Sequence, residues 1–238
     1  MSDLDNTSMT AMVEYEVRSQ TTHVDEWLVE WNKRAQDAHD EEPETSAYAA
    51  AINVDAPNQV LVFERYDHGL QSLEKHVARP AHTTLTDTMG ARNMTRRRVM
   101  STRFVDIPDF GWWARSERSG QMAGAIIVIL GFRFSSPAKL QAYQDVMAEF
   151  IAYCRANEPD TLIYSGGLAV SDADRELELR AGDMVFVTAC ADGEALRQHA
   201  DDPEHLALGE KMIAVGIDLV PTFMRTYRTT GDGYLWRN

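Results

Sequence analysis

The chain has 238 residues, 37 acidic and 23 basic, with a formal net charge of −14. That balance excludes a general binder of nucleic acid or of anionic membranes, which needs a positive face. Its most apolar run, Ala123 to Leu130, is far too short to span a bilayer. The N-terminus is polar, with no apolar signal region, and Cys154 and Cys190 are the only cysteines; both features set the expectation of a reducing cytoplasm. No zinc spacing, Walker loop, Gly-rich dinucleotide fingerprint or covalent haem motif is present.

Residues 1–10 read as a disordered polar leader. Met12 to Arg18 alternates Met12, Glu14 and Glu16 against Val13, Tyr15 and Val17, the pattern of a half-buried strand. Val24 to Asp40 has helical spacing, with Trp27, Leu28, Trp31, Ala35 and Ala38 on one face. Pro43 ends that region. Ser46 to Val54 is a second strand, Asp55-Ala56-Pro57-Asn58 is turn chemistry, and Gln59 to Tyr66 is a third strand. Leu70 to Ala78 is a short helix stopped near Pro80, and a second helical stretch follows to Met89. Val99 to Val105 is a fourth strand. Asp106 to Gly120, with Pro108, Trp112 and Trp113, reads as a strap laid on the surface.

The same order then recurs. Gly124 to Phe134 is a strand and Pro137 to Ala156 a helix, with Leu140, Tyr143, Met147, Phe150, Ile151 and Cys154 inward. Leu162 to Val170 and Met184 to Cys190 are strands, Glu194 to Ala200 is a helix, and Thr222 to Arg228 is the closing strand. Glu176 to Arg180 lengthens the hairpin arm.

Two phrases make the recurrence explicit. Glu42-Pro43-Glu44-Thr45-Ser46-Ala47-Tyr48 returns as Glu158-Pro159-Asp160-Thr161-Leu162-Ile163-Tyr164, an offset of 116 (159 − 43). Leu73-x-x-His76-x-x-x-Pro80-x-His82 returns as Leu196-x-x-His199-x-x-x-Pro203-x-His205, an offset of 123 (203 − 80). Such a period means a duplicated domain, not a solenoid. The expected units are residues 11–105 and 123–229, joined by 106–122 and followed by a tail at 230–238. Each reads β-α-β-β-α-β, the ferredoxin-like order, with helices on one face of an antiparallel sheet. The other face must also be buried. Two such sheets stacked face to face give an intramolecular pseudo-dimeric α+β barrel with helices outside.

Glu42-Pro43-Glu44-Thr45, Val62-Phe63-Glu64-Arg65-Tyr66, Leu73-Glu74-Lys75-His76 and Pro80-Ala81-His82 resemble the antibiotic biosynthesis monooxygenase domain. Members carry a Glu-Pro-Gly-Thr-like phrase, a Glu-Arg-Trp or Glu-Arg-Tyr-like strand end and a His-x-x-x-Pro-x-His helix end. The resemblance covers both halves. It implies the dimeric α+β barrel, here supplied by one chain, and cofactor-independent oxygenation of a phenol, anthrone or hydroquinone by dioxygen. Relatives include quinol monooxygenases and haem-degrading enzymes, and other barrels of this type are isomerases, stress proteins or inactive. Fold alone does not choose among them. Haem, held through His82 or His205, and externally supplied reduced flavin stay open as alternatives, as does a non-catalytic barrel binding a hydrophobic metabolite. The expected partners are a small aromatic substrate and dioxygen, and pairing of the fused barrel into a homodimer stays open.

An oxygenase without metal or flavin needs a base, a hydrogen-bond donor and an aromatic-lined pocket that keeps water out. The first half supplies candidates: His82, Glu64, Tyr66 and Tyr48 for catalysis, and Trp27, Trp31, His39, His76 and Arg103 for binding substrate. Five of the seven histidines lie there. Position matching sets Val187 against Glu64, Ala189 against Tyr66, Tyr143 against Trp27 and Met147 against Trp31. The expectation is one working pocket and one mainly structural half.

Each candidate also has a bland reading. Tyr48 and His76 have partners in Tyr164 and His199, which favours a structural role, with His76 capping or bonding backbone. Trp27 and Trp31 fit a core, Glu64 an exposed strand, and many histidines like His82 only pack. Arg92, Arg96, Arg97, Arg98 and Arg103 form either an anion-steering mouth or a solvated surface paired with acids. Gly166-Gly167 is a turn or bulge signal.

Overall fold

The computed structural model describes residues 7–19, 23–170, 179–217 and 221–237. Its elements, in chain order, are β1 (Met9–Val17), α1 (Val24–Glu41), β2 (Thr45–Asn53), β3 (Gln59–Tyr66), α2 (Gly69–Ala78), α3 (Pro80–Ala91) and β4 (Thr95–Trp112). The series then repeats as β5 (Ala123–Phe132), α4 (Pro137–Asn157), β6 (Thr161–Ala169), β7 (Met184–Cys190), α5 (Gly193–Asp201), α6 (Pro203–Ala214) and β8 (Pro221–Tyr234).

Eight antiparallel strands close a barrel in the order β1-β3-β2-β8-β5-β7-β6-β4. The first half contributes β4-β1-β3-β2 and the second β8-β5-β7-β6, the same order of equivalent strands. The seams are β2 with β8 and β4 with β6. Closure removes every sheet edge.

Alternation along each strand sorts residues between two compartments. Leu61 and Phe63 of β3 join Met12, Ala47, Ala49, Ile127, Ile129, Val185 and Val187 inside the barrel. Val60 and Val62 face outward under Trp27, Leu28, Trp31 and Ala35 of α1. In the second half, Tyr143, Met147 and Phe150 of α4 and Leu208 and Met212 of α6 cover Tyr164 and Phe186. No described helix is long and apolar enough to cross a membrane.

Several sequence expectations change. β1 begins at Met9, inside the expected leader, while residues 1–6 lie outside the described set. β1 is buried on both faces rather than half-buried: Met12 and Glu14 point into the barrel, where Asn53 Nδ2 donates to Glu14 Oε1 at 2.7 Å. Gly166 and Gly167 lie within β6 rather than in a turn, and the bulge reading holds: the ladder to β4 breaks register between Asp106, opposite Gly167, and Gly111, opposite Ser165. A Cβ on Gly167 would come within 2.2 Å of the Val105 carbonyl, so the glycine permits close approach of β4. Of the expected arm extension, residues 176–178 lie outside the described residues.

The strap is also more than a connector. β4 runs on to Trp112, well past Val105, because it crosses to the second half and pairs Phe104 with Ala169 and Trp112 with Tyr164. β8 does the reverse, pairing Tyr234 with Tyr48. Each arm ends in an arginine that caps the long helix of the other half. Arg115 donates to the carbonyls of Thr161 (2.7 Å), Glu158 (2.7 Å) and Cys154 (3.3 Å). Arg237 donates to those of Thr45 (2.8 Å), Glu42 (2.6 Å) and Ala38 (2.6 Å). Both arginines lie over an aromatic ring three residues earlier, Trp112 and Tyr234. Helix C-termini leave carbonyls without partners, and a cation there also meets the negative end of the helix dipole.

Candidate active site

The first-half site is built from the outer face of the sheet upward. Tyr48 on β2 and Glu64 on β3 are directly opposed across the ladder. Trp27 and Trp31 are four residues apart on α1 and project from one face. Trp27 Nε1 donates to Thr95 Oγ1 at 3.1 Å, and the Trp31 ring lies 4.8 Å from that of Tyr48. α3 closes the roof with His82, Leu85, Thr86 and Met89. Between them lies a cavity of about 280 Å³, also reached by Tyr15, Val62, Gly90, Asn93 and Thr95. Asn93 ends α3 in the left-handed region (φ 52°), a conformation asparagine tolerates, and so turns the chain into β4 at the cavity rim.

Glu64 and His82 are the carboxyl and imidazole that line the cavity. Burial pushes the Glu64 carboxyl up, opposed by the charge of His76 and the hydrogen bond from Tyr66. Tyr66 Oη donates to Glu64 Oε2 at 2.6 Å. Burial, then the charges of His76 and Arg34, push His82 below the usual histidine value, so its imidazole is neutral at pH 7. Its Nδ1 is buried with no hydrogen-bond partner. Tyr48 and Tyr66 are held firmly as phenols, chiefly by burial and then by the charge of Glu64.

Behind this wall is a buried charged brace. His76 Nδ1 lies 2.7 Å from Glu42 Oε2 and 2.8 Å from Arg34 Nη2, and Arg34 also donates to Glu42 Oε1. A carboxylate only accepts, so Nδ1 carries the proton toward Glu42. Thr45 Oγ1 donates to the same carboxylate at 2.9 Å. Burial raises the Glu42 carboxyl, but His76 and Arg34 more than offset it and bring it down to about 2. The rings of Tyr48 (4.9 Å), Tyr66 (5.5 Å) and His82 (5.6 Å) surround His76 edge-on.

The second half keeps the glutamate–histidine pair of the brace and covers the equivalent sheet face with aromatic rings. Glu158 Oε2 meets His199 Nδ1 at 2.7 Å and Thr161 Oγ1 at 2.7 Å. Over the sheet, however, Phe110 from the strap packs 6.1 Å from Tyr143 and 6.1 Å from Phe186. The duplicated Glu-Pro-x-Thr and histidine phrases therefore tie the long helix, a strand start and the short helix together in both halves.

The strand ladders correct the position matching. Tyr48 opposes Glu64, but Tyr164 opposes Thr188. The counterparts of Glu64 and Tyr66 are thus Thr188 and Cys190, not Val187 and Ala189, whose side chains enter the barrel. The second half has eight extra residues before β7 (188 − 164 = 24 against 64 − 48 = 16), one more than the phrase offsets imply (123 − 116 = 7), and one fewer between β7 and the helix histidine (199 − 188 = 11 against 76 − 64 = 12). A one-residue slip moves a side chain to the other face of a strand.

Of the sequence candidates, Trp27, Trp31, Tyr48, Glu64 and His82 line the cavity. Tyr66 and His76 form the layer behind them. His39 and Arg103 are not brought to it: His39 bonds Asp40 at the helix end, with its ring 5.3 Å from Tyr234, and Arg103 sits opposite Ala11 on β4. In the arginine cluster, Arg92 pairs with Glu30 at 2.7 Å, and Arg96 (2.7 Å) and Arg97 (2.9 Å) share Glu16. Arg34 was missed, although 27, 31, 34 and 38 form one inward stripe at helical spacing. Leu85 and Met89, also missed, are four apart on α3.

No family model matches the chain, and no curated protein matches it by sequence. Solved structures do. A protein assigned as a monooxygenase from Lactobacillus acidophilus superposes with a TM-score of 0.71 at 12% identity, over 98% of this chain and 100% of that one. Another so assigned, from Fusobacterium nucleatum, gives 0.68 at 10% identity, over 94% and 92%. An anthrone oxidase-like protein gives 0.53 at 13% identity, over 95% and 93%. Each match runs through both halves, so the closed α+β barrel as a whole is the shared architecture.

Proposed function

We propose that this protein is a cofactor-independent monooxygenase that oxidises a phenolic, anthrone or quinol-type aromatic with dioxygen, in the first-half cavity of a duplicated, pseudo-dimeric barrel. The observation that carries the reading is the pairing of a neutral His82 with the Glu64–Tyr66 pair around an aromatic-walled cavity. Its volume of about 280 Å³ is near the lower end of ligand pockets, roughly 300–1,000 Å³, and suits two or three fused rings better than a porphyrin.

In the proposed reaction His82 accepts the proton of the bound phenol or anthrone. The resulting anion transfers one electron to dioxygen, and the radical pair combines into a peroxide at the ring carbon. Loss of water leaves a carbonyl there. One oxygen atom enters the product, and the other leaves as water with the two hydrogens of the substrate. Tyr48 and the Glu64–Tyr66 pair orient the substrate oxygen, while Trp27, Trp31, Leu85 and Met89 exclude water.

The test is incubation of the full chain with anthrones and hydroquinones under ¹⁸O-labelled dioxygen. One labelled oxygen per product, lost in His82→Ala, supports the reading. Tight binding of the same aromatics with no label in any product would replace it with a metabolite-binding barrel. A Soret shift on haem titration that disappears in His82→Ala would favour haem instead.

A further inference from the structure

The two halves hold the same buried acid–base pair in opposite ways. In each, a histidine Nδ1 lies 2.7 Å from a glutamate oxygen: His76 with Glu42, and His199 with Glu158. The first half completes the pair with a permanent cation, the fully buried guanidinium of Arg34. At the matching positions of α4, offset by 116, Phe150 replaces Arg34 and Cys154 replaces Ala38. The second half therefore lacks the cation and gains a sulfur. Arg115 does not make up the loss, because it binds backbone carbonyls just as Arg237 does in the half that has Arg34.

Cys154 Sγ lies 3.4 Å from Glu158 Oε1, and one donor atom each from Cys154, Glu158 and His199 fall within 4.8 Å of one another. Sulfur, imidazole nitrogen and carboxylate oxygen together are the ligand set of zinc-like divalent ions. We propose that Cys154, Glu158 and His199 bind one such ion, in the place where the first half keeps the Arg34 guanidinium.

The geometry needs little adjustment. Tetrahedral coordination separates donors by roughly 3.3–3.6 Å. Cys154 Sγ to Glu158 Oε1, at 3.4 Å, already matches; His199 Nδ1 to Glu158 Oε2, at 2.7 Å, opens by about half an ångström, and a turn of the carboxylate presents one of its two oxygens to the ion. Thr161 Oγ1 keeps its bond to the carboxylate. A surface cleft of about 150 Å³, lined by Asn157, Glu158, His199 and Asp202 among others, gives the ion an entry path and a water the fourth position. Binding a divalent ion releases the proton of the Cys154 thiol, while His199 offers its Nδ1 lone pair and carries its ring proton on Nε2.

Titration of the metal-free full chain with Co²⁺ alone tests this. The expected result is one ion per chain, a thiolate-to-cobalt charge-transfer band, release of a proton, and displacement by Zn²⁺. Cys154→Ala, which copies the first half, should abolish the band and weaken Zn²⁺ binding at least 100-fold, whereas Cys190→Ala should change neither. Absence of the band in the unaltered chain, or its persistence in Cys154→Ala, overturns the proposal. If Cys154→Ala does not fold, the band in the unaltered chain and in Cys190→Ala still decides, since only Cys154 then remains to supply it.

Discussion

Tyr66 Oη and Glu64 Oε2 meet at 2.6 Å on one face of the same strand, two residues apart. The bond gives a buried carboxyl one dedicated donor while leaving it at the cavity wall. Glu64 nevertheless costs the fold stability, because burial raises its folded-state pKa above the unfolded value. The sign follows: this residue is best tolerated below its unfolded value of 4.5, and stability is lost as pH rises through the raised folded value. Glu64→Gln should therefore raise the unfolding midpoint at pH 7, with the gain vanishing near pH 4, while substrate turnover falls. Denaturation curves across pH, set beside activity, check both halves of this statement.

His82 should behave as a base whose proton is lost below the usual histidine range. Activity should rise with pH through a value under 6.5 and then level off. His82→Ala should lower kcat/KM by about 10²–10⁴-fold without loss of fold. His205→Ala, at the matching place in the second half, should leave activity unchanged. Steady-state kinetics of both variants from pH 5 to 9 provide the check.

Glu42 works with the opposite sign. Its carboxyl is held down at about 2 by His76 and Arg34 against burial, so its contribution is present above the unfolded value of 4.5 and fades as pH falls toward 2. Glu42→Gln leaves Arg34 buried beside a neutral amide and should cost on the order of 3 kcal/mol at neutral pH, and much less at pH 3. Chemical denaturation at the two pH values measures the difference.

Filling the cavity should separate binding from folding. Val62 lines it, and the second half has Phe186 at the equivalent ladder position. Val62→Phe should abolish binding and turnover of aromatic substrates while leaving the unfolding midpoint unchanged or raised. Calorimetric titration with a hydroquinone, alongside thermal unfolding, checks it.

The arm arginines should be equivalent. Arg115→Ala and Arg237→Ala each strip several carbonyl partners from the end of a long helix, and each should cost about 2–4 kcal/mol. Hydrogen exchange should show the loosening at the C-terminus of α4 in the first variant and of α1 in the second, across the seam from the mutated arm.

Much of this molecule is written in local pattern. The spacing of Trp27, Trp31 and Ala38 marks a helix face, the β-branched and aromatic run through Gln59 to Tyr66 after the Asp55 to Asn58 turn marks a strand, and the Glu-Pro-x-Thr and His-x-x-x-Pro-x-His phrases recur in order. These depend on a period of about 3.6, on residue type and on phrases a few residues long, so a linear string contains them. It also contains the aromatic-x-x-Arg ends at Trp112 to Arg115 and Tyr234 to Arg237, although their capping role shows only when each arm reaches the other half.

Tertiary structure decided what depends on registration between distant segments. That Thr188, not Val187, answers Glu64 is fixed by the ladder to Tyr164, because compensating one-residue changes in the loops leave no local trace. That His39 lies away from the cavity while Arg34 stands behind it follows from how α1 is rotated onto the sheet. That aromatic rings cover the second-half sheet face where the first half has its cavity is set by Phe110 and Phe186 meeting over β7, a packing event between residues 76 positions apart (186 − 110). Sequence carries the repeated phrases and the element order, and side-chain volume across the sheet places the aromatic-walled cavity over the first-half strands.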